Sequence, residues 1–393
     1  MAKKTYLLIL LVFSSYFWGV TIFQNFDRDS IFLSTIVLAL VPFVFFKKNK
    51  YYTIFLKKYH KYTFVIFLGV VLSMFSAYIF WNQSFLQTLI SQRYIYLFVL
   101  LSSVLYLTPT ENQFFWAIKY FSYLTIAAWT LSIFFIESFI SSEEVLNYRL
   151  FGDSTEIGAS VNGIRIVVIY FYYVLHKSIK GLTKVKFLEI FILFSFIVLF
   201  QNRSVIVGLI IPLIYFLVKF KTKYKFITLS LLFASFSIFL YSNYNVFDSL
   251  IKETKLNLND EDYARYRSLN YYFSDYSPHP ICYFTGNGRI NINTDNFKIQ
   301  KLNNDGIYDS DIGLFGMLIT YGLIPVSLVC LILFRILFQS RQPLYLKFIS
   351  THILIIPTYF HFWDNPNILM FIIIIYFYLL NSKYRMSKNM LKT

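Results

Sequence analysis

The chain is poor in charged residues, and this scarcity limits what kind of protein it can be. Only 14% of its 393 residues are charged, while 57% are hydrophobic and 21% are aromatic. Soluble domains carry about 25% charged residues, so this chain lacks the polar surface that a soluble protein needs. Its apolar content is also too large for one core. The composition therefore predicts a polytopic membrane protein.

Cysteine is scarce as well. Cys282, in a polar segment, and Cys330, in an apolar run, are the only two. They support neither a disulfide framework nor a cysteine-bound metal. The histidines and carboxylates also lack the spacing of metal ligands. We therefore expect no metal and no other cofactor.

Acidic residues are few, with 20 against 36 basic residues and a formal charge of +16. In a soluble protein this balance would suggest nucleic acid as a partner. Here the lysines lie in short runs between apolar stretches, as orientation signals of membrane spans do. We therefore expect membrane lipid as a partner and no nucleic acid.

The apolar runs lack strict alternation of apolar and polar residues, which predicts helical spans. Tyr6–Phe23 follows two lysines but has no cleavage site of small residues, so it is predicted to be an uncleaved first span. The expected fold class is an all-α polytopic membrane protein with about 12 transmembrane helices. The predicted spans are 5–23, 31–46, 63–80, 89–107, 114–136, 161–175, 187–200, 205–218, 227–243, 312–334, 348–361 and 367–381.

Lysine and arginine are sorted to opposite sides of this topology. With both termini in the cytoplasm, 21 of 25 lysines are cytoplasmic and 8 of 11 arginines face outward. Orientation rules count the two residue types together, so they do not explain the difference. The planar guanidinium binds phosphate through two hydrogen bonds, whereas the lysine ammonium acts as a point charge. The sorting predicts an outward site for a phosphorylated ligand.

The predicted topology divides the chain into three parts: residues 1–243 with spans 1–9, an external loop at 244–311, and residues 312–393 with spans 10–12 and a tail. The loop is longer than a simple connection. It contains many aromatic residues, which disordered segments normally lack. We therefore expect a functional loop between spans 9 and 10.

Three arginines lie just inside the outer ends of separate predicted spans. Arg203 lies in the short connection between two spans of about 14 residues each. These spans are shorter than the roughly 20 residues that cross the hydrocarbon, so Arg203 can lie below the membrane interface. An intramembrane arginine is costly and is a functional candidate. Alternatively, each arginine is an anchor that reaches the interface. We expect Arg93, Arg165 and Arg203 to converge on one diphosphate.

The external loop supplies further candidate anion-binding residues. Arg265 and Arg267 fall in a predicted short helix, where their spacing prevents them from sharing one face. Arg289 follows the segment Gly286-Asn287-Gly288. That segment either presents free backbone N–H groups to an anion or forms a structural turn.

Other polar residues fit a sugar site. Asp309 and Asp311 precede span 10, where they either cap the helix or accept a proton from a sugar hydroxyl. His279 is a second proton acceptor in the loop. Trp363 and Asp364, on a short outer loop, are predicted to line the sugar site, with the indole stacking on a sugar ring.

In their order, these elements resemble the O-antigen polymerase and O-antigen ligase family, the Wzy-type membrane glycosyltransferases. The likeness in motifs covers about 165–330, and in the rest of the chain the likeness is in topology alone. The motifs that carry it are Asn202-Arg203-Ser204, Arg265–Phe273, Pro280, Gly286-Asn287-Gly288, Asp309-Ser310-Asp311 and Tyr321-Gly322-Leu323-Ile324.

The resemblance implies a polymerase of undecaprenyl-diphosphate-linked repeat units in a bacterial inner membrane, with its active site facing the periplasm. The glycan passes from its lipid diphosphate to a hydroxyl of another lipid-linked unit, with inversion and without a metal. Arg203 would neutralise the leaving diphosphate, with Arg165, Arg265 and Arg289 assisting. Loop aromatics such as Tyr272 would hold sugars. A chain-length regulator protein is a further partner that the sequence leaves open.

Three alternatives remain open at this point. An O-antigen ligase would have the same architecture, but the family's ligases carry a histidine where Asp309 or Asp311 stands here. A lipid-linked oligosaccharide flippase would also have many spans and a cationic cavity. A dolichol-type glycosyltransferase would need an acidic pair in the first outer loop, for which Asp27 and Asp29 are the candidates.

Overall fold

The computed structural model describes residues 2–15, 28–47, 52–134, 163–179, 181–199, 203–219, 241, 264–289, 312–357, 360 and 365–390. All regular structure in these ranges is helical. The α-helices are α1 (Ala2–Ser14), α2 (Arg28–Phe45), α3 (Tyr52–Trp81), α4 (Phe85–Ser91), α5 (Val99–Leu107), α6 (Glu111–Phe134), α7 (Ile164–Ser178), α8 (Lys184–Leu199), α9 (Arg203–Lys219), α10 (Ala264–Tyr271), α11 (Cys282–Thr285), α12 (Leu314–Tyr321), α13 (Leu323–Phe338), α14 (Leu344–Ile355) and α15 (Asn365–Met390). A 3-10 helix at Arg93–Phe98 precedes α5, and a π-helical turn at Tyr272–Tyr276 follows α10.

The expected all-helical class is confirmed for these residues. Every predicted span except 227–243 coincides wholly or partly with a described helix, and 227–243 lies outside the described residues apart from residue 241. Within the described ranges, Lys61–Trp81 is long and apolar enough to cross a membrane. Phe85–Ser91 and Ile95–Leu107, bent by 65°, would make a second candidate if they form one broken span. The number of spans and their orientation stay predictions.

Two predicted spans are interrupted. Span 312–334 is divided at Gly322, whose φ of 83° and ψ of 177° end α12 and begin α13. This backbone region is accessible essentially to glycine alone, so the sequence dictates the break. Span 89–107 is divided at Gln92, where α4 gives way to the 3-10 helix.

Side-chain caps determine where several helices begin. At α4, the Ser84 hydroxyl accepts a bond from the Gln87 amide at 3.2 Å, and the Gln87 side chain accepts one from the Ser84 amide at 3.0 Å. Thr110 and Gln113 exchange the same pair of bonds before α6, at 3.3 and 2.9 Å. These capping boxes satisfy amides that a helix start leaves without partners. The start of each of these two helices is therefore determined by residues that are adjacent in the sequence.

The chain forms two compact units that interleave along the sequence. The first contains Met1–Leu38, Pro109–Asn257 and Pro343–His352; the second contains Ala39–Thr108, Leu258–Gln342 and Ile353–Thr393. In the first unit α1 packs on α6, α6 on α7, α7 on α8, and α8 on α9. In the second, α3 packs against α4, α5, α11, α12 and α13, while α15 packs on α5 and the 3-10 helix.

Candidate functional site: arginines at the helix ends

In the first unit, Arg165 and Arg203 occupy equivalent places on neighbouring helices. Arg165 is the second residue of α7, and Arg203 is the first of α9. Helix α8 joins them through short connections and packs against both. Short connections make consecutive helices run in alternating directions. The N-terminal ends of α7 and α9 therefore lie on the same side of this unit.

A buried polar junction fixes the register between these helices. The Tyr172 hydroxyl of α7 donates to the Gly208 carbonyl of α9 at 3.2 Å, and it lies 2.8 Å from His352 Nδ1 on α14. All three residues are buried. The His352 ring fills the space that a side chain at position 208 would need. The junction ties α7, α9 and α14 together at one level.

This level places both arginines at similar depth. Arg165 precedes Tyr172 by seven residues and Arg203 precedes Gly208 by five, so at 1.5 Å per residue they lie about 10 and 8 Å beyond the junction. Seven residues make two helical turns, which puts Arg165 on the same face of α7 as Tyr172. Arg165 is half-buried, and its charge acts on His352. The side chain of Arg203 lies outside the described residues.

The second unit brings Arg93 and Arg289 into one neighbourhood. Gln92, next to Arg93, donates to the Ser73 hydroxyl at 2.9 Å. Gly288, next to Arg289, lies so close to the Ser73 carbonyl that an added Cβ would stand 2.9 Å from it. Both arginines are half-buried. The chain neighbours of two predicted diphosphate-binding residues therefore contact the same residue of α3.

The backbone of Gly286-Asn287-Gly288 is bonded to another helix of the same unit. The Asn287 amide donates to the Ile319 carbonyl at 2.8 Å, and the Gly288 amide donates to the Thr320 carbonyl at 3.0 Å. The hypothesis that this segment presents free N–H groups to an anion is therefore wrong at these two amides. Their partners belong to the last turn of α12.

The glycines are needed because two backbones cross here. Gly286 and Gly322 have φ of 79° and 83°. A Cβ on Gly322 would overlap the Phe284 carbonyl, and a Cβ on Gly286 would overlap the Thr320 carbonyl. Two motifs that the sequence showed only in order, the Gly-Asn-Gly segment and Tyr321-Gly322, are in contact in the structure.

Asn287 locks this crossing to the end of α3. Its side chain accepts a bond from the Trp81 indole at 3.2 Å and donates to the Ser277 hydroxyl and the Ile319 carbonyl, both at 3.1 Å. The residue is fully buried. Sequence analysis missed this role, since a single asparagine in a polar loop carries no distinguishing signal.

The predicted sugar-binding residues differ in accessibility. Tyr272 is 5% exposed and packs with Trp81, Tyr276 and Ile319. Such burial gives its ring a packing role and leaves little of its surface for a sugar. His279 is exposed, stacks on Phe80 at 5.7 Å, and accepts a bond from the Ile281 amide at Nδ1.

Several predicted site residues lie partly or wholly outside the described residues. Arg265 lies in α10, which confirms the predicted short helix, but its side chain is outside the described residues. Asp309, Asp311, Trp363 and Asp364 also lie outside them.

The structure adds a carboxylate site that the sequence analysis did not single out. In the first unit, Glu189 of α8 accepts bonds at one oxygen from the Tyr123 hydroxyl at 2.7 Å and the Tyr170 hydroxyl at 2.5 Å. The Lys119 ammonium lies 3.2 Å from the same oxygen. A charged residue inside an apolar helix was the available signal.

Comparison with family models, curated proteins and solved structures finds no match to this chain. The function of the chain is therefore inferred from its residues alone.

Proposed function

We propose that the chain is a membrane glycosyltransferase that polymerises undecaprenyl-diphosphate-linked oligosaccharide units. It would span the bacterial inner membrane about 12 times, with its site on the outward side. The donor is a glycan on a lipid diphosphate, and the acceptor is the non-reducing-end hydroxyl of a second lipid-linked unit. The new glycosidic bond forms as the bond to the diphosphate breaks, and the hydroxyl proton leaves with a base.

The observation that carries the proposal is the common level of Arg165 and Arg203 at the ends of two helices tied by the Tyr172 junction. Two guanidinium groups at one depth suit a diphosphate, because each can hold one phosphate through a pair of hydrogen bonds. Charge grows on the diphosphate oxygens as the sugar leaves. Fixed cations at that place stabilise the transition state more than the ground state.

Arg93 and Arg289, both in the second unit, would supply a second cationic site. In this proposal they bind a phosphate of a lipid-linked unit, while Arg265 approaches from the loop helix. Asp309 or Asp311 would take the acceptor proton. His279, Trp363 and Asp364 would contact sugars. Tyr272, because of its burial, would support the sugar site by packing.

A second candidate, a transporter of lipid-linked oligosaccharide, is favoured by one observation. Glu189 and Lys119 form an ion pair inside apolar helices, about 8 and 12 Å along α8 and α6 from their first residues. Charges at such depth are typical of transport pathways.

The decisive experiment uses purified protein in liposomes with lipid-diphosphate-linked repeat units. The variants Arg165→Lys and Arg203→Lys keep the charge but lose the planar fork. We expect each to slow chain elongation roughly 100- to 1000-fold, the range seen when one transition-state hydrogen-bond donor is removed. Polymer length, resolved by electrophoresis over time, is the measurement. The matched control is Arg341→Lys, an exposed arginine at the other predicted side.

Normal elongation by Arg203→Lys at wild-type protein level would contradict the proposal. Movement of single repeat units across the liposome membrane, without any polymer, would support the transporter instead.

A further inference from the structure

Large apolar side chains stand exposed on the described external segment and beside it. Phe284 is 60% exposed, Ile281 48%, Phe273 40% and Phe315, at the start of α12, 39%. Phe273 stacks on Tyr283 and meets the edge of Phe315, each at 6.0 Å between ring centroids. We call Phe273, Ile281, Phe284 and Phe315 the apolar patch. Exposed apolar side chains grouped in this way indicate a surface that contacts something other than water.

Other residues of the same segment are docked on the end of α3. Tyr276 lies 4.8 Å from the Trp81 ring, and His279 stacks on Phe80. Ser76 and Thr285 share a hydrogen bond of 2.6 Å. The segment therefore lies alongside the last two turns of α3.

This docking determines the depth of the apolar patch. Lys61–Trp81 contains 21 residues and is the strongest candidate for a membrane span among the described helices. At 1.5 Å per residue it is about 31 Å long, which matches a hydrocarbon thickness of roughly 30 Å. Trp81 then lies at the boundary between acyl chains and headgroups, and Ser76, five residues earlier, lies about 8 Å below it.

We propose that residues 272–285 lie in the interfacial region of a phospholipid bilayer, with the apolar patch inserted about 5 to 10 Å into the boundary between headgroups and acyl chains. The length of α3 sets the depth, and the exposed rings supply the apolar face that interfacial segments need. Arg267 on α10 and Asp275 in the segment are exposed charges of opposite sign, which can stay in contact with water and headgroups. The inference needs only a bilayer and stands apart from glycan polymerisation.

This placement has a consequence for Arg289, which directly follows Gly286-Asn287-Gly288. The segment that precedes these residues would be held between α3 and lipid. Arg289 would therefore be kept at the membrane surface rather than in the water layer above.

An environment-sensitive fluorophore on a single cysteine tests the inference. The full-length protein carries Cys330→Ala, while Cys282 can stay, because it is fully buried and burial raises the pKa of its thiol, which slows labelling. Phe284→Cys is compared with Ser274→Cys, an exposed polar position in the same segment. Both are labelled and placed in nanodiscs of phosphatidylglycerol and phosphatidylcholine, with or without chain-brominated lipid.

We expect the label at position 284 to emit at shorter wavelength and to lose roughly twofold in intensity with brominated lipid, as a group at the headgroup boundary should. The label at 274 should keep a water-like spectrum. Ile281→Cys gives a second probe if Phe284→Cys does not fold. Water-like, unquenched spectra at both 284 and 281 would overturn the inference and would leave a protein partner as the occupant.

Discussion

The two units differ in how closely their backbones approach at the helix junctions. In the first unit, the junctions described above are made by side chains: Tyr172 bonds Gly208 and His352, while Tyr170 and Tyr123 bond Glu189. The second unit has side-chain bonds as well, such as that of Trp81 to Asn287, but there two backbones also meet directly at Gly286 and Gly322. A side-chain junction can adjust when one member changes. A backbone crossing has no group that can move aside.

This difference matters for the arginines. Arg165 depends on a side-chain junction for its depth, whereas Arg289 directly follows a backbone crossing. We therefore expect substitutions in the two units to differ both in size and in whether a second substitution can compensate.

The largest expected effect is from Gly322→Ala. Its φ of 83° is strained for any residue with a Cβ, at about 1 to 3 kcal/mol, and the added carbon would also overlap the Phe284 carbonyl. We expect this crossing to open. Cys282, on α11 beside it, should then react rapidly with a maleimide in a Cys330→Ala background.

The control for this variant is Gly181→Ala, because nothing lies within 4 Å of a Cβ at position 181. Unchanged labelling of Cys282 and an unchanged melting temperature in Gly322→Ala would mean that the backbones do not meet as described.

A smaller effect is expected from Gly208→Ala. Here the obstacle is the ring of His352, a side chain, so the cost is that of overpacking, about 1 to 3 kcal/mol. His352→Ala removes the obstacle. We expect the double variant to be more stable than the sum of the two single losses by about 1 kcal/mol or more.

Thermal unfolding in detergent, followed by intrinsic fluorescence, measures this coupling. Strict additivity would contradict the contact between Gly208 and His352. The comparison between units would also fail if any single substitution rescued Gly322→Ala to the same degree.

The sequence predicted much of the fold and less of the site. Apolar runs bounded by lysines located most helices, because burial in lipid or protein demands apolar residues wherever a helix passes. The break at Gly322 was missed, since the chain stays largely apolar on both sides, and the break at Gln92 was missed although it lies in the polar run Ser91-Gln92-Arg93. Gly322 carried a usable signal, a glycine within an apolar run, but its meaning depended on a backbone far away in the chain.

The site arginines illustrate the same limit. Their positions near helix ends were predictable from the pattern of apolar runs. That Gln92 and Gly288, the neighbours of Arg93 and Arg289, both contact Ser73 was not, because these two residues are about 200 positions apart in the chain. Tyr172 and His352 looked like ordinary members of apolar helices. Polar residues inside such helices are the signal that sequence analysis should weigh more heavily.

The smallest expected effect separates two tyrosines that share one acceptor. Tyr170 and Tyr123 both donate to the same oxygen of Glu189, but Tyr170 is buried and Tyr123 is 36% exposed. Losing the buried bond in Tyr170→Phe should lower the free energy of unfolding by about 0.5 to 2 kcal/mol, the range for bonds between helices in lipid. Tyr123→Phe should cost less, because other polar groups can reach the carboxylate from its exposed side.

Melting temperatures of both variants in the same detergent provide the measurement, and Tyr120→Phe, an exposed tyrosine on the same helix as Tyr123, is the control. Equal losses at positions 170 and 123 would show that the carboxylate is equally accessible from both sides, and side-chain junctions in the first unit would then be no more sheltered than surface contacts.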